Sequence, residues 1–356
     1  MGGWGLAGQQ RAVAALQRAL AEGRLAHAYV FAGPERVGKR TLALRLAQAL
    51  NCEGAVGAGA PTHKPAGAPT HEGVGPCGEC NPCRRIAAGL HADVATITVE
   101  EDEEGTQKGI HVSQIRAVER SASLKPFEGR SRFVIIDPAE EMNAAAQNAF
   151  LKTLEEPPPQ VVFALITADE SRLLPTIRSR CRRLELRRPS VDEVEATLTE
   201  RGVDRDRARL LARLSRGRIG WAIEAAGDAT VLERRDARIE QARALAGLTV
   251  AGRMELAERL AAGYRRDPAP VVAELEAWRD WWRDVLLVCA GAEDGVAGVD
   301  RLDELRQDAA RCDREAVAAF VRAAGESADY LAWNAQPRLV LETLLLGAPA
   351  ATVAAS

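Results

Sequence analysis

The chain has 356 residues, room for two or three domains with ample core, and its 47 Lys+Arg against 50 Asp+Glu leave a net charge of −3. That balance excludes a protein that is basic throughout, although a local basic stripe stays compatible with it. There is no run of 18 apolar residues and no charged-then-apolar opening, so a soluble cytoplasmic protein with no membrane partner is expected.

Residues 9–22 carry the spacing of an amphipathic helix, and Ala28 to Ala32 form a short apolar run that reads as a strand. The run meets Gly33-Pro-Glu-Arg-Val-Gly38-Lys39, and a helix follows with Leu42, Leu46 and Leu50 on one face. Strand, Gly-x4-Gly-Lys and helix together make a phosphate-binding loop, in which backbone N–H groups at the helix start face phosphate oxygens and Lys39 adds a point charge. The competing reading is an ordinary glycine turn with a surface lysine. The residue after the lysine should be a Ser or Thr whose hydroxyl ligands Mg²⁺, but it is Arg40. Thr41 comes one position late, which on a helix is a rotation of about 100°. The loop is therefore compatible with a bound nucleotide, ATP with Mg²⁺ among the candidates, but poorly built for cleaving it.

Residues 53–76 are rich in Gly, Ala, Pro and Thr and contain Gly-Ala-Pro-Thr-His twice, at 59–63 and 67–71, as in a flexible insertion. The insertion separates Cys52 from Cys77-Gly-Glu-Cys80-Asn-Pro-Cys83. Three thiols at this spacing, with Gly and Pro favouring tight turns, can wrap one tetrahedral ion, with Cys52 as fourth ligand. A structural Zn²⁺ is expected; His63 or His71 in place of Cys52, or simply free buried thiols, are the alternatives. Next come a strand over 93–99, an acidic loop at 100–104, and a helix over 111–122 capped around Ser113. Arg132 to Asp137 reads as a buried parallel strand ending in a carboxylate, 143–154 as a helix stopped by Pro157-Pro-Pro159, and Val161 to Thr167 as another buried strand. A short helix over 173–180 and a last strand at 184–186 complete an α/β pattern with a parallel sheet. Beyond residue 190 the pattern is only helical. Ser190 and Glu193 have capping-box spacing, and helices follow over 191–201, 204–214 and 218–226 and then from about 230 to 346. Trp278, Trp281 and Trp282 share one helical face and read as core.

Several further strings matter in combination: Gly8-Gln9, His27-Ala-Tyr, Asn148-Ala-Phe-Leu-Lys-Thr-Leu-Glu-Glu-Pro-Pro, Ile177-Arg-Ser-Arg-Cys-Arg and Asn334-Ala-Gln-Pro-Arg-Leu-Val-Leu-Glu. With the loop and the cysteines they resemble the clamp-loader subunits of bacterial DNA polymerase III, in the AAA+ class, above all the delta-prime type. The resemblance implies a P-loop domain over 1–188 with a zinc module at about 52–90, a helical lid over 189–228 and a helical collar for oligomerisation over 229–356. It implies a hetero-pentameric ring with gamma/tau and delta subunits that places a sliding clamp on primer-template DNA. Nucleotide contacts would come from Gly33, Gly38, Lys39, Thr41, Asp137 and the sensor Thr167. Arg180, with Ser179 and Cys181, would be a finger acting on a neighbour's γ-phosphate, although a plain basic edge of Arg178, Arg180, Arg182 and Arg183 is the alternative. Against the working pattern, Arg36 replaces a glycine, Arg40 the hydroxyl, Pro138 the glutamate that activates water, and Gly220 the second-sensor arginine; Glu140 is out of register. A non-hydrolysing subunit is expected. A gamma/tau-type motor with unusual motifs and an unrelated P-loop kinase are the competing readings.

Overall fold

The computed structural model describes residues 4–54, 74–101, 108–333 and 335–351. The duplicated pentapeptide with His63 and His71, and most of the acidic 100–104 stretch, lie outside the described residues. The chain parts into two compact units, Met1–Thr197 with Gly217–Gly220, and Leu198–Arg216 with Trp221–Ser356.

The first unit opens with α1 (Gln10–Ala21), β1 (Ala28–Ala32) and α2 (Lys39–Asn51). After the cysteines come α3 (Asn81–Ala87), β2 (Val94–Ile97), β3 (Glu100–Glu101), β4 (Lys108–Gly109) and α4 (Val112–Ala122). Then follow β5 (Arg132–Ile136), α5 (Ala144–Glu155), β6 (Val161–Thr167), α6 (Pro175–Arg178), β7 (Arg182–Glu185) and most of α7 (Val191–Glu200). Five strands form one wholly parallel sheet in the order β2-β5-β6-β1-β7. Strand parity sends alternate side chains to opposite faces. Tyr29 and Phe31 join Leu16, Leu42 and Leu46 on one side, while Val30, Phe163 and Leu165 join Ile115, Phe150 and Ile177 on the other. Both faces are covered, so β1 and β6 are buried along their whole length and almost wholly apolar, as in a central parallel strand.

Local departures from the sequence expectations have simple causes. The helix expected to be capped at Ser113 has His111 as its N-cap, because Gln114 stands at the third helical position and its Oε1 accepts the His111 backbone N–H at 2.8 Å. The acidic loop is in part a strand: Glu100 and Glu101 pair antiparallel with Lys108 and Gly109, and Lys108 Nζ sits 3.8 Å from Glu101. The helix expected over 173–180 shrinks to α6, since Leu174 precedes a proline and is held extended. The expected capping box is present: the Ser190 N–H donates to Glu193 at 2.8 Å, and the Glu193 N–H to Ser190 Oγ at 3.2 Å.

The second unit is helical. It contains α8 (Arg205–Ser215), most of α9 (Ile219–Gly227), α10 (Thr230–Ala244), α11 (Val250–Arg266), α12 (Pro268–Cys289), α13 (Leu302–Arg311), α14 (Arg314–Ala332) and α15 (Pro337–Leu346). Trp278 and Trp282 are fully buried with Phe320, Leu341 and Leu345, so the tryptophan face is core. Trp281 donates its indole N–H to the buried Asp308 carboxylate at 3.1 Å, which fixes that ring's orientation as well.

Candidate functional site: a phosphate loop, a four-cysteine cluster and an arginine edge

The carboxyl ends of β1, β5 and β6 bring Gly33, Asp137 and Thr167 to one end of the sheet, the crevice where open α/β sheets bind ligands. Gly33 has φ +146, and a Cβ there would sit 2.2 Å from the Leu186 carbonyl oxygen, so no side chain fits. Gly38, at φ +100, is the N-cap of α2. Arg36, standing where a glycine is usual, is held in the left-handed region at φ +58. The position still demands a glycine-like backbone, and an arginine bears that strain. The Gly220 N–H donates to the Arg36 carbonyl at 3.0 Å, and next to it Gln9 donates to the Val37 carbonyl at 3.3 Å and also to the Arg187 carbonyl at 2.7 Å.

Lys39 is buried, and its ammonium donates to the carbonyls of Gly33 and Pro34, the latter at 2.8 Å. Burial lowers its pKa, partly offset by the carboxylates of Glu140, Glu35 and Asp137. Arg40 places its guanidinium 3.3 Å from Asp137 Oδ2. Burial pushes the Asp137 carboxyl up, and the Arg40 and Lys39 cations pull it back in part. Thr41 is exposed at the third helical position. Pro138 follows Asp137 through a cis peptide and offers no carboxylate. Glu140 turns its Oε1 to the Ala168 N–H at 2.8 Å, and its Oε2 is buried without a hydrogen-bond partner among the described residues. Thr167 accepts the Asp169 N–H at 3.1 Å and offers its carbonyl to the Gly33 N–H at 3.3 Å. The loop residues expected from sequence are thus assembled. Mg²⁺ fits these residues poorly, because it demands oxygen ligands at about 2.0–2.1 Å while the Arg40 guanidinium engages the Asp137 carboxylate.

The second cluster is Cys52, Cys77, Cys80 and Cys83, whose sulfurs all lie within 4.8 Å of one another. The Cys77–Cys83 and Cys52–Cys80 sulfur pairs are each 3.9 Å apart, close to the roughly 3.8 Å edge of a tetrahedron with Zn–S bonds of about 2.3 Å. None of the four is in a disulfide. Backbone N–H groups of Glu79 and Cys80 point at the Cys77 sulfur at 3.4 and 3.3 Å, and that of Cys77 at the Cys52 sulfur at 3.4 Å. The Cys52 sulfur beside it, then burial, push the Cys83 thiol far up, a penalty that a divalent cation reverses. The donor set fits zinc. Gln48 and Arg130 fix the cluster's frame, donating at 2.7 Å to the carbonyls of Cys83 and Cys52 respectively.

The third group lies after α6. Arg180 donates to the Thr176 carbonyl at 3.1 Å and to Glu155 at 2.8 Å, with both side chains partly exposed. Ser179 Oγ donates to the same Thr176 carbonyl. Cys181 packs against the sheet face that holds Ile177, and burial pushes its thiol up to about 12, so it serves as filler and not as a nucleophile. Arg183 is engaged by Glu170 and Glu185, while Arg178 and Arg182 are exposed.

The family described as DNA polymerase III, delta subunit, matches residues 8–190, just over half of the sequence. The chain belongs to that family. Delta′ of DNA polymerase III from Pseudomonas aeruginosa is 41% identical over 156 residues, covering 44% of this chain and 42% of that protein. The tau subunit from Escherichia coli is 34% identical over 222 residues, covering 61% of this chain and 31% of its own length. Delta′ from Bacillus subtilis is 28% identical over 339 residues, 95% of each chain. The chain thus spans less than half the length of the first two and nearly all of the third. Among the described residues no helix is long and apolar enough to cross a membrane.

Sequence reasoning missed three supporting residues. Gln9 has no role in its sequence motif; buried, it ties the phosphate loop to the exit of β7. Asn51 receives the Arg130 and Ser131 N–H groups at 2.8 and 3.1 Å. Asp93, with its side chain fully buried, receives the N–H groups of Phe127, Glu128 and Gly129 at 2.7, 2.8 and 2.7 Å. A carboxylate before a strand and a Pro-x-x-Gly turn 33 residues later are too far apart in sequence to be paired by pattern.

Proposed function

We propose that this chain is a delta-prime-type clamp-loader subunit that completes a ring without hydrolysing ATP itself. The observation carrying the reading is the Arg40 guanidinium on Asp137, where a working site needs a metal and its hydroxyl ligand. Pro138 adds to it by removing the usual base. Phosphoryl transfer then loses positioning and charge neutralisation together. Around this, the four cysteines hold one structural Zn²⁺, and Arg180 is supplied across a subunit boundary to a neighbour's nucleotide. Gly33, Gly38, Lys39, Thr41, Asp137 and Thr167 are the residues a bound nucleotide would meet.

In the same reading the segment 189–228 serves as a lid and 229–356 as the collar that meets gamma/tau and delta partners. Tyr330, Trp333, Leu339 and Leu346 are exposed apolar side chains available to such a contact. The core of the second unit draws in Ile239, Ala242 and Leu245, so a collar deletion must begin before α10. The sliding clamp and primed DNA are reached through the complex, in the cytoplasm. The likeness to the tau subunit favours a second reading, a motor with unusual motifs. Steady-state ATP hydrolysis by the purified chain, with Mg²⁺ and with or without primed DNA, separates them. No turnover is expected, and turnover comparable with an AAA+ motor overturns the first reading.

A further inference from the structure

We propose that Arg40 takes the place of the divalent cation, so that the phosphate loop of this chain engages nucleotide without recruiting Mg²⁺. The inference deepens the reading of a non-hydrolysing loop and rests on it. In a metal-dependent site, a hydroxyl one residue after the lysine and the carboxylate ending the neighbouring strand share one Mg²⁺, which bridges to the phosphates. Here the residue after Lys39 projects a guanidinium whose Nη1 lies 3.3 Å from Asp137 Oδ2. A divalent ion there would face a fixed positive charge, lack the hydroxyl ligand and have to win Asp137 away from its partner.

The guanidinium brings what the metal would have brought, a positive charge beside the Asp137 carboxylate, with N–H donors suited to phosphate oxygens. The loop lysine, Lys39, is turned toward the carbonyls of Gly33 and Pro34. Three acidic groups face the same region. Asp137 is paired with Arg40, Glu140 accepts the Ala168 N–H, and Glu35 is exposed. Thr41 does not substitute for the missing hydroxyl, since it is exposed one helical step beyond Arg40.

The test titrates the full-length chain with ATP by equilibrium dialysis, with 5 to 10 equivalents (roughly) of Mg²⁺ over nucleotide, or in buffer freed of divalent ions by a chelating resin that never touches the protein. Wild type is expected to show affinities within about twofold of each other in the two buffers. Arg40→Thr, which restores the hydroxyl and frees Asp137, is expected to bind at least about tenfold more tightly with Mg²⁺ than without it. Arg40→Ser repeats the test, and the melting temperature of each variant confirms that it is folded. Tenfold or greater tightening of wild type by Mg²⁺ overturns the inference. So does a wild type that binds no ATP in either buffer, or an Arg40→Thr protein as indifferent to Mg²⁺ as wild type, including one that binds no ATP. Hydrolysis is followed in the same samples. Mg²⁺-tightened binding without turnover sinks only this inference, whereas Mg²⁺-dependent turnover by wild type also sinks the non-hydrolysing subunit.

Discussion

At the scale of single residues, buried charge is tolerated where backbone donors surround it. Burial pushes the Asp93 carboxyl up, but the N–H bonds from Phe127, Gly129 and Glu128, with Arg132 at 3.6 Å, outweigh that and hold it below the usual range. Asp93→Ala strands three backbone donors and a mostly buried guanidinium. A loss of about 3 kcal/mol is expected, read as a lower denaturant midpoint at unchanged slope. Glu193 shows the same logic at the surface. Its bond from Arg187 lowers the carboxyl, burial opposes it slightly, and the Ser190 N–H lowers it further, to about 2 from an ordinary 4.5. Because the folded pKa is depressed, the stabilisation is complete above about 4.5 and fades as pH falls toward 2. Glu193→Gln keeps the reach-back to Ser190 while removing the charge. Wild type should therefore melt above the variant at pH 7, with the gap narrowing as the buffer is acidified below 4.5. A gap that is constant with pH would show that the ion pair contributes nothing.

At the scale of elements, the cysteine module depends on α2 and α3 ending where they do. Cys52 is the C-cap of α2 and Cys80 the N-cap of α3, so two helix termini and one turn aim four sulfurs at a common centre. With Zn²⁺ in the cluster, protein purified without added metal should carry about one equivalent. Cys83→Ser, which removes a fully buried ligand, should lose that metal and lower the melting temperature of the first unit. Four titratable thiols in wild type with no bound metal would contradict the assignment.

At the scale of the whole molecule, the finger role proposed for Arg180 is tested in an assembly. Arg180 is partly exposed and its ion pair with Glu155 is solvent-screened, so Arg180→Ala should leave folding within about 0.5 kcal/mol of wild type. In the reconstituted complex the same change should lower DNA-dependent ATP hydrolysis by tenfold or more, by analogy with arginine fingers worth about 10³–10⁵ in rate. Arg182→Ala and Arg183→Ala serve as controls, since a merely basic edge would respond equally to all three.

The sequence by itself determined the alternation of strands and helices up to residue 188, the helical remainder and the four cysteines. These follow from local spacing: period 2 or unbroken apolar runs for strands, 3.6 for helices, and Cys-x2-Cys turns for a metal knuckle. It also marked Arg40 and Pro138 as departures, because a phosphate loop has a fixed register along the chain. Only the tertiary structure decided the strand order β2-β5-β6-β1-β7, since any order satisfies the same apolar runs. The Arg40–Asp137 pair spans 97 residues and the Gln9–Arg187 contact 178, distances over which sequence spacing carries no geometry. The phosphate loop was legible because its chemistry is local. The pairing of Arg40 with Asp137 was not, because the partner arrives from another strand.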